Sequence, residues 1–474
     1  MIQENRTKKF FDSGRIHELR SLEEQYERDE FTFAVVYGRR RVGKTSLINE
    51  FIDRGNKKAI RFTATENTNI VNLRNFSKSV FEVYPELSSI VSFPTWESAF
   101  DYIVARMKNE KLILLIDEYP YVAKAYPPIS SEIQKYIDTV LLKTDMMLIL
   151  CGSSMSFMEK QVLGYKSPLY GRRTAQYRIT PLDYYDSAEF LGNASLEDKL
   201  LGYAVTGGIP QYLSVIARGR TVKEGINNAF FSKTGFLYEE PQNLMKQELR
   251  EPALYNSIIE AVAGGATKMN DIAMKVKEQD SKVAKYIRNL IGLGILEKEV
   301  PMLPKSGRNG VYHIKDNMYR FWYRFVPDAV ALIENRYEHI YREKVEPLIP
   351  EFMGHVFETV CRQYLMRLNV KDRLPALFSG IGRWWGGNPI TKKETEVDIM
   401  AVSKNELILG ECKWRNKETG TDVYTDLKEK AALFTDKDIY YYLFSKSGFT
   451  EDLIRTAKND ERLTLVGLED IFRV

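Results

Sequence analysis

The sequence predicts a multidomain α/β protein, and three patterns along its 474 residues carry that prediction. A short apolar strand at 33–36 leads into a glycine-containing loop and then an amphipathic helix. Three helical segments followed by two short strands occupy 254–314. Two apolar strands at 396–402 and 407–414 carry acidic residues near the place where a hairpin would bring them together. A chain of this length is expected to hold about two to four domains.

Composition sets limits on partners and location. Lysine and arginine number 68 against 64 aspartates and glutamates, so any basic surface must be local. The three cysteines, Cys151, Cys361 and Cys412, are far apart and have no CxxC spacing, which argues against a disulfide framework or a zinc site. The chain starts without an apolar signal segment and has no apolar run near the ~20 residues that cross a bilayer. We therefore expect a soluble, cytoplasmic protein with no membrane partner.

The loop after the first strand fits the pattern G-x-x-x-x-G-K-[ST] from Gly38 to Thr45. Its glycines let backbone N–H groups turn towards phosphates, Lys44 reaches the β- and γ-phosphates, and the Thr45 hydroxyl ligates Mg²⁺. Apolar residues at helical spacing follow it, so the helix N-terminus faces the anion. ATP and Mg²⁺ are the predicted cofactors. The predicted nucleotide-binding residues are Gly38, Arg39, Arg40, Arg41, Val42, Gly43, Lys44, Thr45, Ser46 and Ser153.

Two further strands end in polar residues that such a loop requires. Leu112 to Ile116 form an apolar strand that ends in Asp117 and Glu118. We expect Asp117 to hold the Mg²⁺ ion through a water molecule and Glu118 to activate the attacking water. The strand from Met146 ends in Ser153 and Ser154, and either serine would contact the γ-phosphate or its water; a simple turn is the alternative.

A basic turn supplies candidate residues for charge stabilisation. Arg172 and Arg173 lie in PLYGRRTAQYRITPL, and either guanidinium could reach the γ-phosphate as an arginine finger. A finger acting in trans would make the protein a homo-oligomer. The alternative is a solvated basic turn.

Five segments occur in a characteristic order: YGRRRVGKTSLI, LLIDEYP, CGSS, LYGRRT and GGIPQYL. In this order they resemble the archaeal-type ATPase family, a branch of the AAA+ and STAND P-loop proteins, over about residues 10–235. The segment FDSGRIHELRSLEEQY loosely resembles the lead-in helix of such domains. The resemblance implies an ASCE-type parallel-sheet core and a small helical lid that carries the turn Gly208 to Pro210 near the nucleotide.

The middle of the chain predicts a winged helix. Helices at 254–263, 269–276 and 282–291 precede short strands at 296–300 and 311–314. The third helix would expose Lys282, Lys285 and Arg288 to nucleic acid phosphates, and the tip between the strands would add Lys305 and Arg308. A protein-binding module with solvated lysines is the alternative.

The last region carries a second chemical pattern. Asp398 on one strand and Glu411-Cys412-Lys413 on the next fit D…(D/E)xK, and residues two apart on a strand share a face. Two carboxylates would gather Mg²⁺ while the lysine orients a water for attack on a phosphodiester. The pattern resembles the PD-(D/E)xK nuclease superfamily, which implies a helix-borne acid, here Glu358 or, on another helix face, Glu351. Val397 departs from the usual proline.

We therefore predict four domains: a P-loop ATPase core (1–180), a helical lid (181–245), a winged helix-turn-helix (246–330) and a restriction-endonuclease-like α/β domain (331–474). The predicted function is a Mg²⁺-dependent ATPase whose nucleotide state controls a nucleic-acid-directed module, with DNA as the favoured partner and Mg²⁺-dependent nuclease chemistry at Glu358, Asp398, Glu411 and Lys413. The alternative is a STAND-type nucleotide switch or scaffold whose last domain is catalytically idle.

Overall fold

The computed structural model describes residues 14–85, 92–108, 110–249, 251–303, 310–388, 392–434 and 436–474. The chain divides into two compact units. The first comprises residues 1–182 together with 209–211, and the second comprises 183–208 and 212–474.

The first unit is built on a parallel five-stranded sheet in the order β2-β3-β4-β1-β5. Its strands are β1 (Thr32–Tyr37), β2 (Ala59–Thr63), β3 (Ile113–Asp117), β4 (Met147–Gly152) and β5 (Ala175–Arg178). Its helices are α1 (Ile16–Tyr26), α2 (Lys44–Arg54), α3 (Asn69–Val83), α4 (Trp96–Met107), α5 (Tyr119–Ala125) and α6 (Ile129–Thr139).

Strands β1, β3 and β4 are buried along their whole lengths, as their uninterrupted apolar runs predict for a sheet covered on both faces. Phe33, Val35, Leu114 and Leu148 belong to one apolar core with the neighbouring helices. Because all five strands are parallel, the ends of β1, β3 and β4 meet at one edge of the sheet. That edge brings the loop at 38–45, the acids at 117–118 and Ser153 into one region.

The second unit begins with helices. They are α7 (Tyr184–Ala188), α8 (Leu196–Thr206), α9 (Pro210–Ile216, which starts within the first unit), α10 (Val222–Phe230) and α11 (Glu240–Glu248). Three helices and a hairpin follow: α12 (Pro252–Ala263), α13 (Met269–Val276), α14 (Asp280–Gly292), β6 (Leu296–Glu299) and the antiparallel β7 (Val311–Ile314). The helices and strands predicted here from periodicity are therefore present. The predicted tip residues Lys305 and Arg308 lie outside the described residues.

The second unit ends in a mixed five-stranded sheet in the order β12-β11-β10-β9-β8. Strands β8 to β10 are antiparallel, whereas β10 to β12 are parallel. The strands are β8 (Gly380–Gly387), β9 (Glu394–Val402), β10 (Glu406–Lys413), β11 (Asp438–Ser445) and β12 (Leu463–Gly467). The accompanying helices are α15 (Asn317–Phe325), α16 (Val330–Glu334), α17 (Ile349–Val370), α18 (Thr421–Ala431), α19 (Glu451–Asn459) and α20 (Leu468–Ile471).

Two helices cover opposite faces of this mixed sheet. Leu427 of α18 shares an apolar core with Leu443 of β11, whereas Tyr364 of α17 makes an edge-to-face ring contact with the next residue, Phe444. Successive residues of a strand point to opposite faces, so α17 and α18 lie on different sides.

The hairpin β6–β7 packs against strand β8, which is an edge strand of the mixed sheet. The Met302 N–H donates to the Arg383 carbonyl oxygen at 2.8 Å, and the Met302 side chain lies against Gly380 and Gly382. Glu299 forms ion pairs with Arg362 of α17 at 3.3 Å and with Arg383 at 3.6 Å. The hairpin is thus fixed to the C-terminal sheet by backbone, apolar and charged contacts.

All three cysteines are free thiols. In the described part of the chain, no helix combines the length and the apolar character that a bilayer span requires.

Candidate functional site

The loop after β1 has the backbone that close phosphate binding requires. A Cβ atom on Gly38 would lie 2.2 Å from the Ile179 carbonyl oxygen, so only glycine allows this approach. Gly43 adopts φ 91° immediately before α2, and Arg41 is also left-handed at φ 69°. This backbone turns N–H groups into a concave surface at the N-terminus of α2.

Lys44 is buried at the base of this loop, and its Nζ donates to the Arg39 carbonyl oxygen at 3.0 Å. Burial lowers the pKa of the Lys44 ammonium, while the nearby acids Glu118 and Asp117 oppose that shift. Its stem is held in place within the loop that would surround the phosphates.

The acids at the end of β3 are joined to the loop and to β4. The Thr45 hydroxyl donates a hydrogen bond to Asp117 Oδ2 at 2.7 Å, so the two groups that are predicted to hold the metal ion lie side by side. The Ser153 hydroxyl donates to Glu118 Oε2 at 2.8 Å, and the Ser153 N–H donates to the same oxygen at 3.3 Å. Of the two serines that the sequence left open, Ser153 is therefore the one that contacts the predicted base.

Glu118 itself has a left-handed backbone at φ 50° and ψ 42°. This conformation is uncommon outside glycine and costs about 1–3 kcal/mol, so the surrounding structure must hold it. It follows directly on Asp117 and precedes α5. The conformation allows two adjacent acids to contact different partners, Thr45 and Ser153.

The oxygen atoms in this region fit Mg²⁺. The Thr45 hydroxyl and the Asp117 carboxylate are hard oxygen donors already within hydrogen-bond distance of each other. These two residues would hold the ion, and its charge would neutralise phosphate oxygens when bound.

The two arginines of the basic turn differ in their surroundings. Arg172 forms a two-pronged ion pair with Asp138 of α6 at 2.7 and 2.6 Å and also donates to the Pro168 carbonyl. Within the described residues, Arg173 makes no hydrogen bond or ion pair, and its charge acts on Tyr37, the last residue of β1. Arg173 therefore lies within electrostatic range of the residue that precedes the loop, and its guanidinium has no such partner among the described residues.

Pro210, the last residue of the predicted turn and part of the first unit, also lies near the loop, because its ring is 3.9 Å from a Cβ atom built on Gly43.

In the second unit, the hairpin of β9 and β10 brings Asp398 to the Glu411-Cys412-Lys413 segment. Asp398 Oδ2 accepts a hydrogen bond from the Cys412 N–H at 2.9 Å. Lys413 Nζ lies 2.7 Å from Glu411 Oε1, so these two side chains share a face of the strand as their spacing predicts. Burial and the Glu411 carboxylate raise the pKa of Asp398 to about 6.

A lysine that the motif does not include completes this group. Lys430 of α18 lies 3.2 Å from Glu411 Oε2 and 2.9 Å from Asp426 Oδ2. Both oxygens of Glu411 therefore have an ammonium partner. The only trace of this arrangement in the sequence is the i, i+4 spacing of Asp426 and Lys430, because the contact with Glu411 depends on how α18 packs.

Glu358, rather than Glu351, faces the interior: its side chain is 16% exposed, against 75% for Glu351. It lies on α17, on the sheet face opposite to α18, and its Oε2 is 3.4 Å from Arg383 Nε. Burial raises the pKa of Glu358 to about 7, with Arg383 opposing the shift and Asp398 adding to it. Asp398 is thus the acid that interacts with both Glu358 and Glu411.

The chemistry of these donors suits a hard cation, since they are carboxylate oxygens. Over the ranges that the structure covers, however, no three His, Cys, Asp or Glu side chains are grouped so that they could hold a metal ion. Asp398 and Glu411 are the pair that would hold one.

Helix α14 exposes Lys282, Lys285 and Arg288 as predicted. Lys282 forms an ion pair with Glu278 at 2.7 Å, which neutralises part of that surface.

Comparisons with known proteins agree with the nucleotide site. Residues 10–216 match a family described as an ATPase domain predominantly from Archaea. Residues 322–425 match a family of archaeal and bacterial proteins of unknown function. An uncharacterised protein of Methanocaldococcus jannaschii is 32% identical over 463 residues, which cover 96% of this chain and 99% of that protein. The chain belongs to the same family as that protein, and its residues 10–216 form an archaeal-type ATPase domain.

Solved structures include two similar chains. A Walker-type ATPase of Pyrococcus abyssi has a TM-score of 0.49 and 20% identity, covering 65% of this chain and 94% of that one. The ORC1 protein of Aeropyrum pernix, solved in complex with DNA, has a TM-score of 0.35 and 15% identity, covering 68% of this chain and 94% of that one.

Proposed function

We propose that this protein is a Mg²⁺-dependent ATPase whose nucleotide state controls a nucleic-acid-directed module in the second unit. One observation carries the first part: the contacts of Thr45 with Asp117 and of Ser153 with Glu118, beside the buried Lys44. Together these residues can bind phosphate, hold a metal ion and accept a proton from water.

In this proposal each side chain has a separate task. The Lys44 ammonium and the N–H groups of the loop bind and orient the β- and γ-phosphates. Glu118 takes the proton of the attacking water, and Ser153 fixes the direction of its carboxylate. Arg173 supplies the positive charge that stabilises the transferred phosphoryl group.

Two substitutions test the ATPase proposal. Lys44→Ala should lose ATP binding in a calorimetric titration, because the phosphate contact is gone. Glu118→Gln should bind ATP·Mg²⁺ normally but hydrolyse it more slowly by about 10²-fold or more, because only proton transfer is removed. Wild-type turnover in Glu118→Gln would require another base.

The second part of the proposal concerns the C-terminal sheet. Its β8-β9-β10 antiparallel and β10-β11-β12 parallel arrangement, with Asp398 beside Glu411 and Lys413, supports a nuclease-like α/β domain. The three helices and hairpin at 252–314 support a winged helix, with α14 as the element that meets DNA.

The direct test incubates the full chain with Mg²⁺ or Mn²⁺ and single- or double-stranded DNA and RNA, with and without ATP. Cleavage should depend on the metal ion and should be lost in Asp398→Ala, whereas the ATPase rate of that variant should equal that of the wild type. Cleavage that persists in Asp398→Ala would assign the activity to another site or a contaminant.

A second candidate function is a nucleotide-controlled switch or scaffold with a protein-binding winged helix and an idle nuclease-like domain. The pairing of both Glu411 oxygens with lysines favours it, because those oxygens would otherwise be free for a metal ion. An ATP-dependent change in protease sensitivity without any metal-dependent cleavage would support this alternative.

A further inference from the structure

We propose that Lys430 is a further residue of the C-terminal site: it neutralises Glu411 before a metal ion arrives and moves to Asp426 when the ion binds. This inference rests on the proposed function of that site. It assigns a role to a residue on α18, outside the D…(D/E)xK pattern.

The first observation is the complete pairing of Glu411. Its side chain is only 9% exposed, and its two oxygens lie 2.7 Å from Lys413 Nζ and 3.2 Å from Lys430 Nζ. A buried carboxylate needs such partners, because an unpaired buried charge is costly. A divalent cation that binds Glu411 must therefore displace one ammonium or bear its repulsion.

The second observation identifies which ammonium can leave. Lys413 has Glu411 as its ion-pair partner, whereas Lys430 lies between two carboxylates and is 2.9 Å from Asp426 Oδ2. The Asp426 side chain is 58% exposed, on the solvent side of α18. Lys430 can therefore give up Glu411 and remain paired with Asp426, one turn earlier on its own helix.

This arrangement predicts opposite effects for its two members. Removing the Lys430 charge takes away the competitor of the metal ion, so metal affinity should increase. Removing the Asp426 charge takes away the alternative partner, so Lys430 should hold Glu411 more firmly and metal affinity should decrease. A lysine that only supports the packing of α18 predicts no such pair of effects.

The experiment titrates the full-length, nucleotide-free protein with Mn²⁺ alone by calorimetry. Glu411→Gln defines the background, so only binding lost in that variant is attributed to the site. We expect Lys430→Met and Lys430→Gln to bind Mn²⁺ about tenfold tighter than the wild type, and Asp426→Asn to bind it several-fold more weakly. Lys428→Met is the matched control, because Lys428 is exposed on the same helix and lies over the Tyr424 ring at 4.9 Å.

The outcomes separate the inference from the proposed function. If Mn²⁺ binding depends on Glu411 but is unchanged or weaker in both Lys430 variants, the displacement role is wrong and the metal site stands. If neither the wild type nor the Lys430 variants show Glu411-dependent binding, the metal site is wrong and the inference falls with it. A cooperative thermal unfolding transition checks that each variant is folded. Two different neutral side chains at position 430 are used so that the test still decides the question if one of the two variants does not fold.

Discussion

At the scale of single residues, adjacent arginines can have different tasks. Arg172 is held by Asp138, whereas Arg173 is free of such partners among the described residues and lies within electrostatic range of Tyr37. The sequence alone could not distinguish them, because Asp138 is 34 residues away and its approach depends on the packing of α6.

We therefore predict that Arg173→Ala binds ATP normally but hydrolyses it at least tenfold more slowly, since charge stabilisation acts in the transition state. Arg172→Ala should retain turnover and lose about 0.5 kcal/mol of stability, because exposed ion pairs contribute little. Steady-state kinetics and urea unfolding of both variants measure this. If the finger acts in trans, specific activity should also rise with protein concentration. Equal loss of turnover in both variants would contradict the assignment.

Glu358 gives a prediction about pH. Its pKa of about 7 lies above the ordinary value of 4.5, so the folded state prefers the protonated acid. The resulting stability is present below about pH 4.5 and is lost as pH rises through 7. We expect the unfolding free energy of the metal-free wild type to fall between pH 5 and 8, and Glu358→Gln to reduce that fall by about 2 kcal/mol.

Urea unfolding at the two pH values measures the difference. Asp398, with a pKa of about 6, contributes a part of the fall that Glu358→Gln leaves in place. Glu351→Gln is the control on the same helix, because that side chain is exposed. A pH dependence in Glu358→Gln identical to that of the wild type would refute the assignment.

At the scale of elements, the hairpin β6–β7 connects the helices at 252–292 to the C-terminal sheet within the second unit. The sequence predicts its strands from their length and apolar content, but it does not predict that Glu299 pairs with Arg362 and Arg383. Those partners lie 63 and 84 positions later, and no periodicity reports on contacts at such separation. The same set of ion pairs extends to the candidate site in the C-terminal sheet, because Arg383 also pairs with Glu358.

We predict that Glu299→Gln lowers the unfolding free energy by about 2 kcal/mol, because it leaves two largely buried guanidinium groups short of an anion. Glu346→Gln removes an exposed ion pair with Lys223 and should cost less than about 0.5 kcal/mol. Denaturant titrations of both variants test this difference. Equal stabilities would show that the hairpin is held by its backbone and apolar contacts alone.

At the scale of the whole molecule, each of the two units has its own apolar core. We predict two transitions in scanning calorimetry, one for each unit. ATP·Mg²⁺ should stabilise only the unit that binds it and should raise the unfolding free energy of that unit by about 2.7 kcal/mol at a ligand concentration 100 times Kd. Lys44→Ala should lose that shift while keeping both transitions. A single transition would mean that the units unfold together.

The scale of an interaction decides how much of this molecule the sequence could predict. The loop at 38–45, the strand ending in Asp117 and the spacing of Glu411 and Lys413 are local patterns. The structure confirms the predicted strand and helix and places Glu411 and Lys413 on the same face. The partners Lys430, Asp138 and Arg383 come from helices and strands that are distant in sequence, so their contacts depend on packing. The predicted domain boundaries at 245 and 330 remain predictions.

The docking of Met302 on strand β8 also bears on the solubility of the protein. An edge strand presents unpaired N–H and C=O groups to which a strand of another molecule can add, which leads to aggregation. The Met302 N–H donates a hydrogen bond to the Arg383 carbonyl oxygen, and the Glu299 carboxylate forms an ion pair with the side chain of Arg383. The hairpin therefore covers part of that edge of the sheet. Variants that weaken the contacts between the hairpin and strand β8 should self-associate more than their loss of stability alone would explain.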